Sequence, residues 1–260
     1  MFKKESIKRE YIRICRYLLG QRYIKIMAGP LKDYQWTTAS SYEYITGNYE
    51  DPKVLETFCS WLGADTVLYD IGANIGFYSL LANRFITTGK IYAIEPLPSN
   101  ITVLKEHIAC NKKYIVNDNI DILPFAVSDK EKEVDISNDI KNRDGNTYIK
   151  GSAVFMNAED RMRVKCYSVD ELIGQGYGRP DVLKIDVEGA EYDVLEGAHN
   201  LLKEYKPNIL LATHDCHLPG VKDKCVNFLE GLGYILKHTG NYNKQVAGLD
   251  DYIAVHREKV

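Results

Sequence analysis

The chain has 260 residues, of which 45% are hydrophobic and 27% are charged, a composition typical of ordinary globular proteins. This length suits one large domain, or one domain with an added N-terminal piece. The formal net charge of −3 argues against a general nucleic-acid binder, which would usually be basic. Apolar runs stay well short of the roughly 18 residues of a membrane span, and the charged N-terminus lacks an apolar signal core, so we expect a cytoplasmic protein.

The N-terminal segment 2–27 carries apolar residues at helical spacing. The pattern predicts one long helix, with an apolar face formed by Ile7, Tyr11, Ile14 and Leu18 and a basic face opposite. We expect this helix to cap the domain with its basic face in solvent. A helix that lies on a membrane surface or on an acidic partner is the alternative.

Segment 33–49 is rich in aromatic residues that have no clear periodicity. It is equally consistent with a lid over a bound substrate and with packing between the N-terminal helix and the core. If it is a lid, removal of residues 1–49 should abolish turnover and leave cofactor binding intact. We therefore divide the chain into a helical and aromatic extension at 1–49 and a main domain at 50–260.

From residue 51 onward, short apolar runs alternate with helical patterns. Strands are predicted at 66–70, 91–94, 119–127, 181–186, 207–213, 233–238 and 251–256. Helices are predicted at 52–62, 75–85, 99–111, 189–204 and 221–231. The alternation predicts an α/β fold with a mainly parallel sheet, helices on both faces and one antiparallel edge strand from the closing pair.

Residues 130–137 and 162–169 break this alternation and look like two further strands. A polar loop at 138–151, which contains an Asp-Gly turn, lies between them. We expect a hairpin-like insertion that is mobile at its tip.

The stretch 66–78 reads as a strand, a tight glycine turn and the start of a helix. Asp70 ends this strand and Glu95 ends the next one, so parallel strands would bring both carboxylates to the same edge of the sheet. The arrangement predicts a nucleoside site with an acidic floor. Glu95 has the spacing of an acid that binds a ribose diol.

The glycine turn departs from the Gly-x-Gly-x-x-Gly fingerprint of dinucleotide sites. When Gly72 is aligned with the first glycine, Asn74 and Phe77 take the places of the other two. The charge of Asp70 would repel a pyrophosphate but attract a cofactor with a sulfonium and an α-amino group, such as S-adenosylmethionine (SAM). An NAD-dependent oxidoreductase is therefore the weaker alternative.

Residues 180–191 form a second dense stretch, in which an apolar strand ends at Asp186 and runs through Glu188 into a helix near Glu191. Glu191 would complement the dipole of that helix, which is a structural role. Asp186 and Glu188 would lie beyond the carboxyl end of a central strand, where open α/β sheets bind ligands. We expect Asp186 to share one crevice with the two strand-end acids described above.

The next strand leads into Thr-His-Asp-Cys-His, so His214 and Asp215 would emerge at the same edge. A histidine there can act as a general base near neutral pH. His214, His217, Asp215 and Asp186 could also hold a metal through nitrogen and oxygen ligands. Ordinary hydrogen-bonded loop residues explain the pattern as well, and we expect no metal.

Together these stretches resemble the FkbM family of class I SAM-dependent methyltransferases. The resemblance covers residues 50–213, and its matching motifs are Asp-Ile-Gly-Ala-Asn-Ile-Gly-Phe-Tyr (70–78), Ala-Ile-Glu-Pro (93–96), Ala-Val-Ser-Asp (126–129), Ser-Val-Asp-Glu-Leu (168–172) and Leu-Lys-Ile-Asp-Val-Glu-Gly-Ala-Glu (183–191). It implies a Rossmann-like, seven-stranded sheet with a reversed edge strand, and SAM as the cofactor.

The resemblance also implies roles for individual residues. Glu95 would bind the ribose hydroxyls, and Asp186 would lie near the transferred methyl group. The other cofactor-binding positions in the matching motifs are Asp70, Gly72, Ala73, Asn74, Gly76, Phe77, Tyr78 and Pro96, with Ala126 and Val127 beside the adenine.

Members of this family methylate hydroxyl groups, often on sugars or secondary metabolites, so we expect an O-methyltransferase that acts on a small molecule or a glycan. The attacking hydroxyl must lose its proton. Candidates for the base are Asp186, then His214, then Glu188 and Asp215, although Glu188 could instead anchor the acceptor. A methyltransferase for protein or RNA and a SAM-binding protein without turnover are the alternatives.

Overall fold

The computed structural model describes residues 2–137, 161–240 and 247–260. The helices are α1 Phe2–Arg13, α2 Tyr42–Thr46, α3 Pro52–Ser60, α4 Phe77–Asn83, α5 Pro98–Cys110, α6 Val169–Gly174, α7 Glu191–Glu196, α8 His199–Glu204 and α9 Val221–Gly231. The strands are β1 Tyr23–Lys25, β2 Gln35–Thr37, β3 Val67–Ile71, β4 Lys90–Ile94, β5 Ile120–Leu123, β6 Ala126–Val127, β7 Lys132–Ser137, β8 Arg161–Tyr167, β9 Val182–Ile185, β10 Asn208–His214, β11 Tyr234–Gly240 and β12 Leu249–His256. Within the described ranges, every helix is too short or too polar to cross a membrane.

Seven strands form the central sheet, in the order β11-β12-β10-β9-β3-β4-β5. The strands from β10 to β5 in this order run parallel, and β3 pairs with β9 on one side and with β4 on the other. The direction in which the sheet grows therefore reverses at β3, and open α/β sheets bind ligands at such a point. The fold class predicted from the sequence is confirmed.

One detail of the sheet differs from the prediction. β12 is antiparallel to both β10 and β11, so the reversed strand is second from the edge and β11 forms the edge itself. The reason is hydrophobic burial: β12 contributes the buried residues Ile253 and Ala254, whereas Ile235 of β11 is 52% exposed.

Side chains of the central strands pack alternately on the two faces of the sheet. Leu68 of β3 belongs to an apolar cluster with α3, α4 and the N-terminal segments, and Tyr69 belongs to a second cluster with α6 to α9. Burial on both faces explains why β3 is a continuous apolar run in the sequence. The same strand carries the fully buried Asp70 to the carboxyl edge.

The N-terminal helix differs from the prediction in its length and its contacts. A π-helical turn continues α1 to Leu18, and Gly20 then takes a φ of +62° instead of continuing a helix to residue 27. The predicted packing face is exposed, since Ile7 is 66% and Leu18 77% accessible. The helix instead docks through a neighbouring face, on which Ile12 lies in the core.

The aromatic segment packs into the core. Tyr34, Trp36 and Tyr44 are buried in the same cluster as α3 and α4. The Trp36 ring stacks on His107 of α5 with ring centroids 3.9 Å apart. The packing alternative is therefore the observed one for these three residues, and removal of residues 1–49 would open the core.

Two predicted elements are split. The predicted helix 189–204 is divided into α7 and α8 at Gly197, where a Cβ would lie 2.1 Å from the backbone oxygen of Ser128. The predicted strand 119–127 is divided into β5 of the central sheet and β6, which pairs with β8. Both breaks occur where the chain passes along the small sheet β6-β8-β7.

The predicted hairpin insertion is confirmed, because β7 and β8 pair antiparallel from Lys132 opposite Cys166 to Ser137 opposite Arg161. Ile136 of this hairpin is buried. The predicted mobile tip at 138–151 lies outside the described residues.

Candidate active site

The glycine turn after β3 runs directly against the turn after β9. A Cβ on Gly72 would lie 1.9 Å from the carbonyl oxygen of Asp186, and the φ of Gly72 is +78°, so glycine is required there. A Cβ on Gly76 would meet Leu104 of α5 at 2.1 Å. The close approach of the two turns places the predicted cofactor loop beside the first candidate base.

Asp70 is fully buried at the end of β3. Its Oδ2 accepts a hydrogen bond from Ser79 Oγ at 2.6 Å, and its Oδ1 lies 3.7 Å from Lys184 Nζ. Burial raises the pKa of this carboxyl group, although Lys184 and Ser79 oppose the shift. Oδ1 accepts no hydrogen bond from the described residues, so one acceptor position of this buried carboxyl group is unsatisfied.

Glu95 is buried at the end of β4. Its two oxygens accept hydrogen bonds from the backbone N–H groups of Asn74 and Leu97, both at 2.9 Å. Burial raises the pKa of Glu95 to about 7, against the effect of these hydrogen bonds. Asn74 presents its N–H from a left-handed conformation with φ +50°. Glu95 therefore fixes the shape of the glycine turn.

A cavity of about 290 Å³ opens beside the glycine turn. Pro96, Ala126 and Val127, which the sequence assigned to the cofactor, lie in its wall. Val134 and Ile136 of the hairpin insertion close it from the other side, and sequence reasoning did not connect the insertion with the site. A largely apolar cavity with polar groups at its rim suits a flat heteroaromatic ring.

Other predicted cofactor residues lie away from this cavity. Phe77 and Tyr78 begin α4 and face the aromatic segment: the Phe77 ring lies 4.9 Å from that of Tyr49, and Tyr78 Oη donates to Glu50 at 2.9 Å. Ala73 is buried inside the turn, where its N–H donates to the carbonyl at the end of β4 at 3.0 Å.

Lys184 is a buried cation that joins the two turns, and sequence reasoning gave it no role. Its Nζ donates to the carbonyl oxygen of Gly72 at 3.1 Å and lies 3.2 Å from Asp186 Oδ2. Burial opposes the charge of this amine, but Asp186 and Asp70 outweigh burial and raise its pKa. A lysine inside an otherwise apolar strand was the signal that could have identified it.

Three carboxylates surround His214 at the end of β10. Its Nδ1 donates to Glu191 Oε1 at 2.7 Å, and its Nε2 lies 3.4 Å from Glu188 Oε2 and 3.6 Å from Asp186 Oδ1. Glu191 is fully buried, and its Oε1 also accepts from the N–H of Gly189 at 2.8 Å. Glu191 therefore orients the imidazole, a role that its place in the first helical turn did not reveal.

The same carboxylates keep His214 charged. Burial alone would lower the pKa of the imidazole, but Glu188, Glu191 and Asp186 outweigh burial and raise it to about 10. Burial likewise opposes the charge of Asp186, but Lys184 and His214 lower its pKa below the ordinary value. At neutral pH Asp186 and His214 are therefore both charged, and Asp186 lies between His214 and Lys184.

Glu188 occupies a strained position, with φ +57°, and Gly189 follows it with φ +112°. This turn brings Glu188 Oε2 to 3.1 Å from His217 Nε2 as well as towards His214. Asp186, Glu188 and His214 offer ligand atoms that lie within 4.8 Å of one another, so they are a group that could hold a metal ion.

Asp215 makes a different contact. Its Oδ1 accepts a hydrogen bond at 2.8 Å from the backbone N–H of Lys222 in the first turn of α9. The structure therefore brings Asp186, Glu188 and His214 together and gives Asp215 the contact of a helix cap.

Two further acids near Asp186 were not identified from the sequence. Glu50 precedes α3 and Asp251 belongs to β12; burial raises the pKa of both, to about 8 for Asp251, and the charge of Asp186 contributes to each shift. Beside them, the rings of Tyr44 and Tyr49 stack with centroids 3.8 Å apart. Glu50, Asp186 and Asp251 come from three distant segments, so no local pattern could have grouped these acids.

Comparisons with known proteins show that the chain is similar to several methyltransferases. The chain is 30% identical over 146 residues to hexuronic acid methyltransferase AglP of Haloferax volcanii, an alignment that covers 54% of this chain and 52% of AglP. It is 28% identical over 196 residues to methyltransferase sdnD of Sordaria araneosa, with 66% and 75% covered. The chain thus spans about half the length of AglP and three quarters of sdnD.

A solved structure of an FkbM methyltransferase from Methylobacillus flagellatus superposes with a TM-score of 0.53 at 17% identity, covering 75% of this chain and 44% of that one, which supports the fold alone. The family model described as the methyltransferase FkbM domain matches residues 70–236. Because this match includes the glycine turn, Glu95, Asp186 and His214 and covers more than half of the sequence, the chain belongs to the FkbM methyltransferase family.

Proposed function

We propose that the protein is a SAM-dependent O-methyltransferase whose acceptor is a hydroxyl group of a small molecule or a sugar. The observation that carries the proposal is the contact between the turns at Gly72 and Asp186, which sets a cofactor crevice beside a cluster of ionised side chains. Membership of a methyltransferase family favours this reaction over the oxidoreductase alternative.

The residues at the ends of β3 and β4 suit the parts of SAM. The free acceptor position on the buried Asp70 Oδ1 fits an α-amino group, and the Glu95 carboxylate can accept from ribose hydroxyls. The cavity beside Ala126 and Val127 suits the adenine ring. When bound there, SAM supplies an electrophilic methyl group.

Lys184 holds the two halves of the proposed site together. Its amine lies between Asp70 and Asp186 and also binds the carbonyl oxygen of Gly72. Its positive charge lowers the pKa of both acids against the effect of burial, and its contacts link the two acids to each other. We assign it a positioning role.

In this proposal Asp186 accepts the proton of the attacking hydroxyl. It follows β9 directly, beside the glycine turn, and its side chain is 24% exposed, so an acceptor can reach it. The proton passes from the acceptor oxygen to Asp186 as the oxygen attacks the methyl group. The lowered pKa makes Asp186 a weak base, so the precise placement of the hydroxyl supplies much of the rate. Glu188 anchors the acceptor, and His214 holds both carboxylates in place.

The acceptor side suits a polyhydroxylated molecule. Glu50, Asp251 and Glu188 can accept hydrogen bonds from hydroxyl groups, and the partly exposed ring of Tyr49, which stacks on the buried Tyr44, offers an apolar wall. We place the acceptor against this wall. The similarity to a protein named as a hexuronic acid methyltransferase supports a sugar acceptor.

The test has two stages. Calorimetric titration of the protein with SAM, S-adenosylhomocysteine and NAD should show micromolar binding of the first two, which Asp70→Ala and Glu95→Ala should abolish in folded protein. SAM with an isotope-labelled methyl group is then offered with a panel of monosaccharides, uronic acids and phenols, and products are identified by mass spectrometry. NAD binding in place of SAM would refute the proposal, and SAM binding without transfer to any hydroxyl would refute its catalytic part.

A further inference from the structure

The group formed by Asp186, Glu188 and His214 has the spacing of a metal site. Bonds of about 2.1 Å to a tetrahedral ion separate neighbouring ligand atoms by about 3.4 Å. In the structure His214 Nε2 lies 3.4 Å from Glu188 Oε2 and 3.6 Å from Asp186 Oδ1. An ion could therefore enter between these atoms with small side-chain movements.

The imidazole ring of His214 is also oriented in the way that is typical of metal-binding histidines. Its other nitrogen, Nδ1, donates to the buried Glu191 at 2.7 Å, which fixes the ring so that Nε2 faces the two carboxylates. A carboxylate behind a histidine ligand orients the ring and makes the nitrogen that faces the metal more basic. Because His214 is protonated without an ion, the ion would replace the proton on Nε2, and binding would release that proton to solvent. The strained φ of Glu188, +57°, is a further cost that a ligand role would explain.

From this geometry we propose that Asp186, Glu188 and His214 bind a divalent transition-metal ion such as Mn²⁺ or Zn²⁺. The expectation from the sequence was that no metal binds. Two carboxylates and one imidazole provide both oxygen and nitrogen ligands. Transition metals bind such mixed sets well, whereas Mg²⁺ and Ca²⁺ prefer oxygen ligands alone. The side chains of Asp186 and Glu188 are 24% and 17% exposed, so the remaining coordination positions face the crevice.

The charges around the group are mixed. Glu191 is a third carboxylate in contact with His214, whereas Lys184 is a cation 3.2 Å from Asp186. Without an ion, His214 forms ion pairs with both Asp186 and Glu188. The experiment must therefore distinguish a metal site from an ion-pair cluster.

If the proposed function holds, the ion would lie where the acceptor hydroxyl binds, and it could lower the pKa of that hydroxyl as a Lewis acid. This use in catalysis rests on the proposed function, whereas binding of the ion does not. Metal is therefore titrated in the absence of SAM and acceptor, and SAM is titrated in the absence of metal, so the two proposals can fail separately.

The experiment is a calorimetric titration of the full chain, without an affinity tag and stripped with a chelator, with Mn²⁺, Zn²⁺ and Mg²⁺. We expect one Mn²⁺ or Zn²⁺ per chain and weaker binding of Mg²⁺. Glu188→Gln and His214→Gln should each weaken binding by at least about tenfold, and Glu191→Gln by about 10–100-fold. His238→Gln is the matched control, because His238 pairs with Asp250 at 2.7 Å on an exposed surface and should not affect binding.

Circular dichroism and SAM affinity verify that each variant is folded. Absence of Mn²⁺ and Zn²⁺ binding, or equal affinity in wild type and in folded Glu188→Gln and His214→Gln, overturns the proposal in favour of an ion-pair cluster. If the variants do not fold, electron spin-echo spectroscopy of Mn²⁺ bound to the wild type decides the question. Coupling to one imidazole nitrogen supports the site, and its absence refutes it.

Discussion

The two halves of the site are built in different ways. At the ends of β3 and β4, the acids accept hydrogen bonds from neutral donors: Asp70 from the hydroxyl group of Ser79, and Glu95 from the backbone N–H groups of Asn74 and Leu97. At the ends of β9 and β10, charged side chains hold one another, as in the contact between His214 and Glu191. We call the first half, which consists of Asp70, Glu95 and the glycine turn, the cradle. The second half is a set of paired charges, and a bound ligand can change their balance.

The largest effect is expected where the two halves touch. Gly72→Ala would place a Cβ 1.9 Å from the carbonyl oxygen of Asp186 at a φ of +78°, so both SAM binding and turnover should be lost and the free energy of unfolding should fall by about 3 kcal/mol or more. Urea denaturation and SAM titration measure these effects.

Gly176→Ala is the matched control for this change. Gly176 has φ +97° with no atom within 4 Å of an added Cβ, so it should lose only about 1–2 kcal/mol. Equal losses in the two variants would show that the backbone conformation, and not the contact between the turns, requires Gly72.

The charge-balanced half should control turnover. Asp186→Asn should lower kcat by about 10²–10⁴-fold, since a proton acceptor is removed from the attacking hydroxyl. SAM affinity should change far less, because Asp70 and Glu95 remain. Asp181→Asn is the control: Asp181 lies at the other end of β9, where its Oδ2 accepts from Val67 N–H, a bond that asparagine can keep. A kcat near that of wild type in Asp186→Asn would remove Asp186 as the base.

The cradle should respond to pH. Because the pKa of Glu95 is about 7, its ionised fraction in the empty folded protein rises from about a tenth at pH 6 to about nine tenths at pH 8. Hydroxyl donors prefer the carboxylate, so SAM affinity should rise about tenfold over this range and binding should release protons below pH 7. Titration in buffers with different ionisation enthalpies counts these protons.

The same shift has a consequence for stability. A raised pKa means that the carboxyl group of Glu95 holds its proton more tightly in the folded state than in the unfolded state. The contribution of Glu95 to the free energy of unfolding therefore falls as pH rises from about 4.5 to about 7.

Glu95→Gln should remove the pH dependence of SAM affinity. A dependence that persists in this variant would assign it to another group.

The smallest effect is expected at Asp215, which the sequence grouped with the catalytic residues. If it caps α9 through the N–H of Lys222, Asp215→Asn should leave kcat within about twofold, and Asp215→Ala should cost about 1 kcal/mol of stability. Steady-state kinetics and thermal unfolding measure the two effects. A tenfold or greater fall in kcat for Asp215→Asn would return this residue to the catalytic group.

The cradle could be predicted from the sequence because its determinants are local. A parallel strand buried on both faces is a continuous apolar run, its terminal acid follows at a fixed position, and glycine is required where φ is positive. The sheet, the turn at Gly72 and the positions of Asp70 and Glu95 therefore follow from short stretches of sequence.

Other features depend on contacts between distant segments. The face through which the N-terminal helix docks is one, since Ile7 and Leu18 fit the packing pattern but remain exposed while Ile12 is buried. The close approach of the Ser128 backbone to Gly197, which leaves no room for a side chain there, is another. Local spacing contains no information on which surface receives a helix.

For this protein, the sequence by itself determined the α/β fold, the glycine turn and the family resemblance, because each depends on patterns that are local to single strands, turns and helices. Only the tertiary structure decided the partners of the charged residues. Lys184 pairs with Asp186, Glu191 with His214, and Asp215 with the backbone of α9, because a buried charge needs a partner and the fold decides which group lies within reach.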